Sequence, residues 1–214
     1  METPISPTRR RIPLFPLHTV LFPHTLTVLK IFEPRYLDLI RETLPGNGEI
    51  GVVRIRSGAE VGTPAEPFET GTTARILSVD RDQGLMQVVL TGEERFHIQQ
   101  LIRQGDRLWA EVDRLDEAEH EGDEKLVDEV LDEIGFIRSI AGKHGLPMEE
   151  EPPTERDPVT LSYMVSDALP VDLATKQELL EMPDATQRLE RLLGLMRRSR
   201  LNILKNTFEG GSLH

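Results

Sequence analysis

Gly46-Asn47-Gly48-Glu49-Ile50-Gly51 carries the glycine spacing that lets a backbone approach a dinucleotide pyrophosphate. It leaves a predicted helix and enters a predicted strand, the reverse of the order that aims a helix N-terminus at phosphate, and reads as a turn. Gly142-Lys143 has the ending of a phosphate loop, but Ile137 stands where the first glycine is needed and His144 where the hydroxyl is needed. Glu117, Glu119, Glu121, Gly122 and Asp128 mimic the spacing of a calcium loop without its early aspartates, and a strand precedes them. A solvated acidic linker accounts for these residues. The six histidines, His18, His24, His97, His120, His144 and His214, include no pair at the i,i+4 spacing of a helical metal site. There is no cysteine and no Gly-x-Ser-x-Gly nucleophile turn. The reading is a chain with no catalytic, cofactor-binding or metal site.

Composition points the same way. The 214 residues can form one large domain or two small ones, burying roughly 70% of the unfolded chain's surface. With 37 acidic residues against 25 Lys and Arg, the charge disfavours non-specific binding to nucleic acid or anionic lipid and favours a soluble, cytoplasmic protein. Arg9, Arg10 and Arg11 precede an apolar stretch as in an export signal, yet Pro13 and Pro16 interrupt it and no small-residue cleavage site follows. No apolar run approaches the roughly 20 residues of a membrane span.

The densest apolar segment runs from Ile12 to Tyr36 and is punctuated by Pro13, Pro16, Pro23 and Pro34. Proline lacks the amide proton of a sheet ladder, so short extended pieces at edges and bends are expected here. Leu14, Leu17, Val20, Leu21 and Phe22 are the predicted core, and Leu26, Val28 and Lys30 share one face of a following strand. Glu33-Pro34-Arg35-Tyr36 opens a helix with Tyr36, Leu37, Ile40 and Leu44 on one face. A strand follows over 49–56, then a loop over 57–70. From Gly71 to Leu115 alternation predicts an antiparallel meander over 72–79, 85–91, 95–102 and 107–115, which closes most easily into a barrel. Beyond the charged segment 116–122 the period becomes helical, with helices starting near Asp123, Asp157, Asp172 and Asp184.

The order of Ile12-Pro13-Leu14-Phe15-Pro16-Leu17, Val20-Leu21-Phe22-Pro23, a strand and Phe32-Glu33-Pro34-Arg35-Tyr36 resembles the amino-terminal, substrate-binding domain of Lon-type ATP-dependent proteases. The stretches 71–76 (GTTARI), 92–96 (GEERF) and 170–182 (PVDLATKQELLEM) are similar to later parts of that domain, in the same order. The resemblance covers most of residues 12–204. It implies an α+β fold: a β-rich PUA-like pseudobarrel with one helix over 1–115, the acidic linker 116–122, and an α-helical subdomain over 123–208. The ATPase and peptidase of a full Lon protease have no room in this length, so the reading is a stand-alone, non-catalytic module.

The resemblance implies a protein or peptide partner, engaged through exposed apolar or unfolded segments. Such a segment can add to a sheet edge or enter an apolar groove. The candidate surface is Phe15, Phe22, Phe32 and Tyr36, with Glu33 and Arg35 orienting; the alternative is that the aromatics are core and Glu33 and Arg35 form a local ion pair. A second reading is RNA binding by the PUA-like part with the basic last helix, which carries Arg188, Arg191, Arg197, Arg198, Arg200 and Lys205. Arginines turned toward the acidic helix at 123–133 would count against it.

Overall fold

In the computed structural model, residues 9–46, 48–59, 65–82, 85–118, 123–143 and 153–209 are described. The chain forms two compact units, one of Met1–Asp116 with Pro170–Pro183, the other of Glu117–Leu169 with Asp184–His214.

The first unit holds β1 (Arg10–Leu17), β2 (Leu26–Ile31), α1 (Pro34–Thr43), β3 (Glu49–Ser57), β4 (Glu66–Asp82), β5 (Leu85–Gln104), β6 (Arg107–Arg114) and α4 (Leu173–Glu181). The strands lie in the order β2-β5-β4-β3-β1-β6, and β6 also pairs with β5, which closes a ring from which β2 projects as the free edge. The long β5 makes this possible, because its first half pairs with β2 over 86–91 and its second half with β6 over 96–104. The predicted barrel-forming meander is thus observed, with 85–91 and 95–102 joined into one continuous strand. The predicted loop over 57–70 is shorter than expected, since β4 already begins at Glu66. Gly62 and Pro64 of that loop, Glu119–Gly122 of the acidic segment, and His120, His144 and His214 lie outside the described residues.

The proline-punctuated β1 is an interior strand rather than an edge, and its ladder shows how. It pairs with β6 over Arg10–Leu14 and with β3 over Leu14–Leu17. Pro13 therefore has a ladder on the β6 side only, and Pro16 on the β3 side only. Each proline sits where one side of the strand asks for no amide proton.

Two apolar clusters fill the unit. One joins Phe15, Leu17, Leu21, Ile31, Tyr36, Leu39, Ile40 and residues of β3 to β5, and the other gathers Ile12, Leu14, Val53, Phe96, Leu108, Ala110 and Val112. α1 starts with Pro34 at its first turn, as expected, and buries Tyr36, Leu39 and Ile40. Leu44, predicted on that face, is exposed. The strand β2 likewise turns Leu29 and Ile31 to the core and leaves Leu26 and Val28 outside.

Gly92 sits where β2 enters the sheet. His24 has a φ of 61° and donates its amide to the Gly92 carbonyl, while the Gly92 amide donates to the Thr25 carbonyl. Two residues thus oppose one, a bulge with its first residue in the left-handed region. A β-carbon on Gly92 would lie 2.1 Å from the Phe22 carbonyl oxygen, a rigid backbone atom. Gly92→Ala is expected to cost about 2–3 kcal/mol in denaturant unfolding, through displacement of the 22–25 segment. An unchanged midpoint would contradict this packing.

The second unit comprises α2 (Glu124–Lys143), α3 (Pro158–Ala168) and α5 (Ala185–Glu209). The aspartates predicted to start helices do so. Asp123 accepts from the Leu126 amide, Asp157 from Thr160, and Asp184 from Thr186 and Gln187. In the first unit Asp172 does the same for α4, and the hydrogen bond from the Thr175 amide holds its carboxyl below the ordinary value.

Candidate functional site

Of the six residues predicted as a peptide-binding surface, Phe15, Phe22 and Tyr36 lie in the core. The rings of Phe15 and Tyr36 are 4.3 Å apart between centroids. The Arg35 guanidinium lies 4.5 Å above the Tyr36 ring and donates to the Glu33 carboxylate at 2.9 Å. It also reaches the Asp106 carbonyl at 3.3 Å. Phe32 alone of the aromatics in that set is largely outside, at 62% exposure. The geometry therefore separates a buried aromatic support from one exposed ring beside a local ion pair.

The face of β2 that alternation in the sequence gives to Leu26, Val28 and Lys30 is exposed as well. Leu26 and Val28 are 63% and 53% exposed. Val28 pairs with Val89 on β5, and Val89 with Ser78 on β4, where a bulge between Ile76 and Ser78 turns Leu77 outward as well. Phe32, the residue after β2, and Leu85, the first residue of β5, are exposed as well. The outer face of β4, β5 and β2 thus presents Leu77, Val89, Val28, Leu26, Leu85 and Phe32. Lys30 sits in the same row and makes no ion pair among the described residues.

Backbone groups are available along the same strand. The Gly92 amide donates to the Thr25 carbonyl, which makes Thr25 a hydrogen-bonded position of the antiparallel ladder. Alternation then places Thr27, Leu29 and Ile31 in hydrogen-bonded pairs with β5, and turns the N–H and C=O of Leu26, Val28 and Lys30 to the free edge. The residues with exposed side chains are those with unladdered backbone. Long apolar edges of this kind are commonly covered, charged or kinked.

The basic last helix behaves differently. Arg197 pairs with Glu129 at 2.9 Å and Arg200 with Glu133 at 2.9 Å, both on the acidic helix α2. Arg188 is wholly buried, 2.9 Å from Glu117 and 2.8 Å from the Ser162 hydroxyl. These arginines face carboxylates of their own unit rather than forming a patch for phosphates. The side chain of Lys205 lies outside the described residues. A recess between α2 and α5 is lined by Leu126, Leu193 and Gly194 together with charges of both signs. Among the described residues no group of three or more His, Asp or Glu is placed to hold a metal ion, and no helix is long and apolar enough to cross a membrane.

A ring of strands with one early helix, a free apolar edge and a helical second part defines an α+β architecture. Residues 11–198 match the ATP-dependent protease La (LON) substrate-binding domain, and the chain belongs to that family. It is similar to the Lon protease of Amoebophilus asiaticus, 27% identical over 181 residues that cover 80% of this chain and 21% of that protein. Lon protease 4 of Sorangium cellulosum is 29% identical over 210 residues, 96% of this chain and 26% of the relative. The chain thus spans about a quarter of the length of the curated relatives it matches. Among solved structures, a Lon N-terminal domain protein from Xanthomonas campestris is 26% identical with a TM-score of 0.65, over 86% of this chain and 98% of that one. The N-terminal domain of a Mycobacterium avium complex Lon protease shares the fold, with a TM-score of 0.69 at 22% identity, over 88% of this chain and 98% of that one.

Proposed function

We propose that this chain is a non-catalytic recognition module of the cytoplasm that binds exposed apolar or unfolded segments of other proteins. Membership of a substrate-binding domain family supports the protein partner. The observation that carries the reading is the free edge of β2, where Leu26, Val28 and the adjoining Phe32 stand exposed. Phe32 is the contact residue among those singled out from sequence. Glu33 and Arg35 orient the segment at the start of α1, and Phe15, Phe22 and Tyr36 support it from below. Burying the exposed parts of three such side chains supplies several kcal/mol at roughly 25 cal/mol per Å², in a term that salt does not screen.

The RNA-binding alternative loses its main support, because Arg197 and Arg200 are engaged by Glu129 and Glu133. The test compares a labelled, permanently unfolded protein with its folded parent and a single-stranded RNA at two salt concentrations. Binding selective for the unfolded chain and retained at higher salt is expected. Salt-sensitive binding to RNA in its place would overturn the reading.

A further inference from the structure

We propose that the β2 edge captures its segments as an added strand, and that the segments it prefers alternate apolar residues with an acidic residue placed across from Lys30. This rests on the recognition reading above and adds its mode and its selectivity. The backbone is poised for it: the N–H and C=O groups of Leu26, Val28 and Lys30 face the free edge, by the alternation set at Thr25 and Gly92. An extended segment laid along that edge completes these hydrogen bonds, and its side chains opposite Leu26 and Val28 extend the apolar outer face. An amphipathic helix cannot satisfy the same groups.

Lys30 sets the charge rule. It is exposed, lies in the row of Leu26 and Val28, and has no carboxylate partner among the described residues. Its neighbour across the ladder is Gln87, and the nearest acid on that row is Asp80, a further strand away. An incoming carboxylate beside Lys30 gains a cross-strand pair, whereas an incoming lysine or arginine is repelled. The same residue disfavours a second copy of this chain. Pairing two β2 edges antiparallel about Val28 sets each Lys30 against the other's Leu26, and pairing about Lys30 sets like charges together.

The test uses a labelled peptide of about seven residues, alternating valine and threonine with glutamate at one valine position. Its analogues carry N-methyl groups on alternate amides, in either of the two registers, or lysine in place of glutamate. Binding is read by fluorescence anisotropy to the full chain and to the Val28→Pro and Lys30→Glu variants. Val28→Pro removes an amide proton that the native ladder does not use, so the fold is retained by thermal unfolding. One N-methyl register is expected to weaken binding at least about tenfold and the other to leave it little changed. Val28→Pro should weaken binding to a similar degree, and Lys30→Glu should exchange the preference from the glutamate to the lysine peptide. Equal affinity of both methylated registers and the parent peptide would overturn strand addition, whether or not Val28→Pro folds. Parental binding of the unfolded protein by folded Val28→Pro would do the same while leaving the recognition reading intact. No binding of the unfolded protein by the parent chain would remove both.

Discussion

Arg95→Met is expected to destabilise the β-ring unit by on the order of 3–5 kcal/mol. Arg95 is 2% exposed and belongs to β5, yet its guanidinium reaches out of the strand to three backbone carbonyls. It donates to Leu180 at 3.0 Å and Met182 at 2.8 Å, at the C-terminal end of α4, and to Asp116 at 3.1 Å. The last carbonyls of a helix have no partner within it, and a buried cation there also meets the negative end of the helix. Methionine fills most of the volume but donates nothing, so these acceptors lose their donors away from water. Trp109 is the sole tryptophan and lies on β6 of the same unit, so its fluorescence in denaturant reports this loss directly. A midpoint like the parent's would mean that Arg95 does not hold α4. Gln177, whose amide donates to the Thr70 carbonyl, ties α4 to β4 as Arg95 ties it to β5.

The second unit has its own buried arginine, and Arg188→Met is expected to cost about 3–4 kcal/mol there. Arg188 is fully buried, with Glu117 and Ser162 as hydrogen-bond partners and its guanidinium 4.0 Å above the Tyr163 ring. Tyr163 donates its hydroxyl to the same Glu117 carboxylate. Removal of the guanidinium leaves that carboxylate without its cation in a partly buried place, which carries most of the penalty. The double variant with Glu117→Gln should therefore recover part of the loss, a coupling that two independent sites would not show. Helical circular dichroism follows this unit, since the long helices α2 and α5 belong to it with α3. Strict additivity of the two substitutions would contradict the pair.

The order and type of most elements were legible because they rest on local chemistry. Asp157, Asp172 and Asp184 announce their helices through side chains that reach amides two or three residues on. Pro34 fits the first turn of α1 because no hydrogen bond is lost there. The alternation of 107–115 marks a strand whichever partner it takes.

What stayed hidden depends on partners far along the chain. Pro13 and Pro16 suggested edges, and only the staggered pairing of β1 with β6 and β3 shows how an interior strand tolerates both. Arg95 reads as one more charge in a polar stretch, and its target lies 85 residues away. The face of β2 was ambiguous because both parities are apolar: Leu26 and Val28 on one side, Leu29 and Ile31 on the other. Burial went to the side that the β-ring covers. The same density of apolar residues explains why Phe15, Phe22 and Tyr36 are core rather than surface. Phe32, next to the helix start, is the member of the set that chain direction carries outward.

The most direct test of the account is hydrogen exchange of the full chain, alone and with a permanently unfolded protein. Leu26, Val28 and Lys30 amides face the free edge and should exchange quickly in the free chain. Their slowing on addition of the unfolded protein, together with protection of the 26–32 segment, is the predicted result. Protection confined to α2 and α5, with 26–32 exchanging as in the free chain, would contradict it.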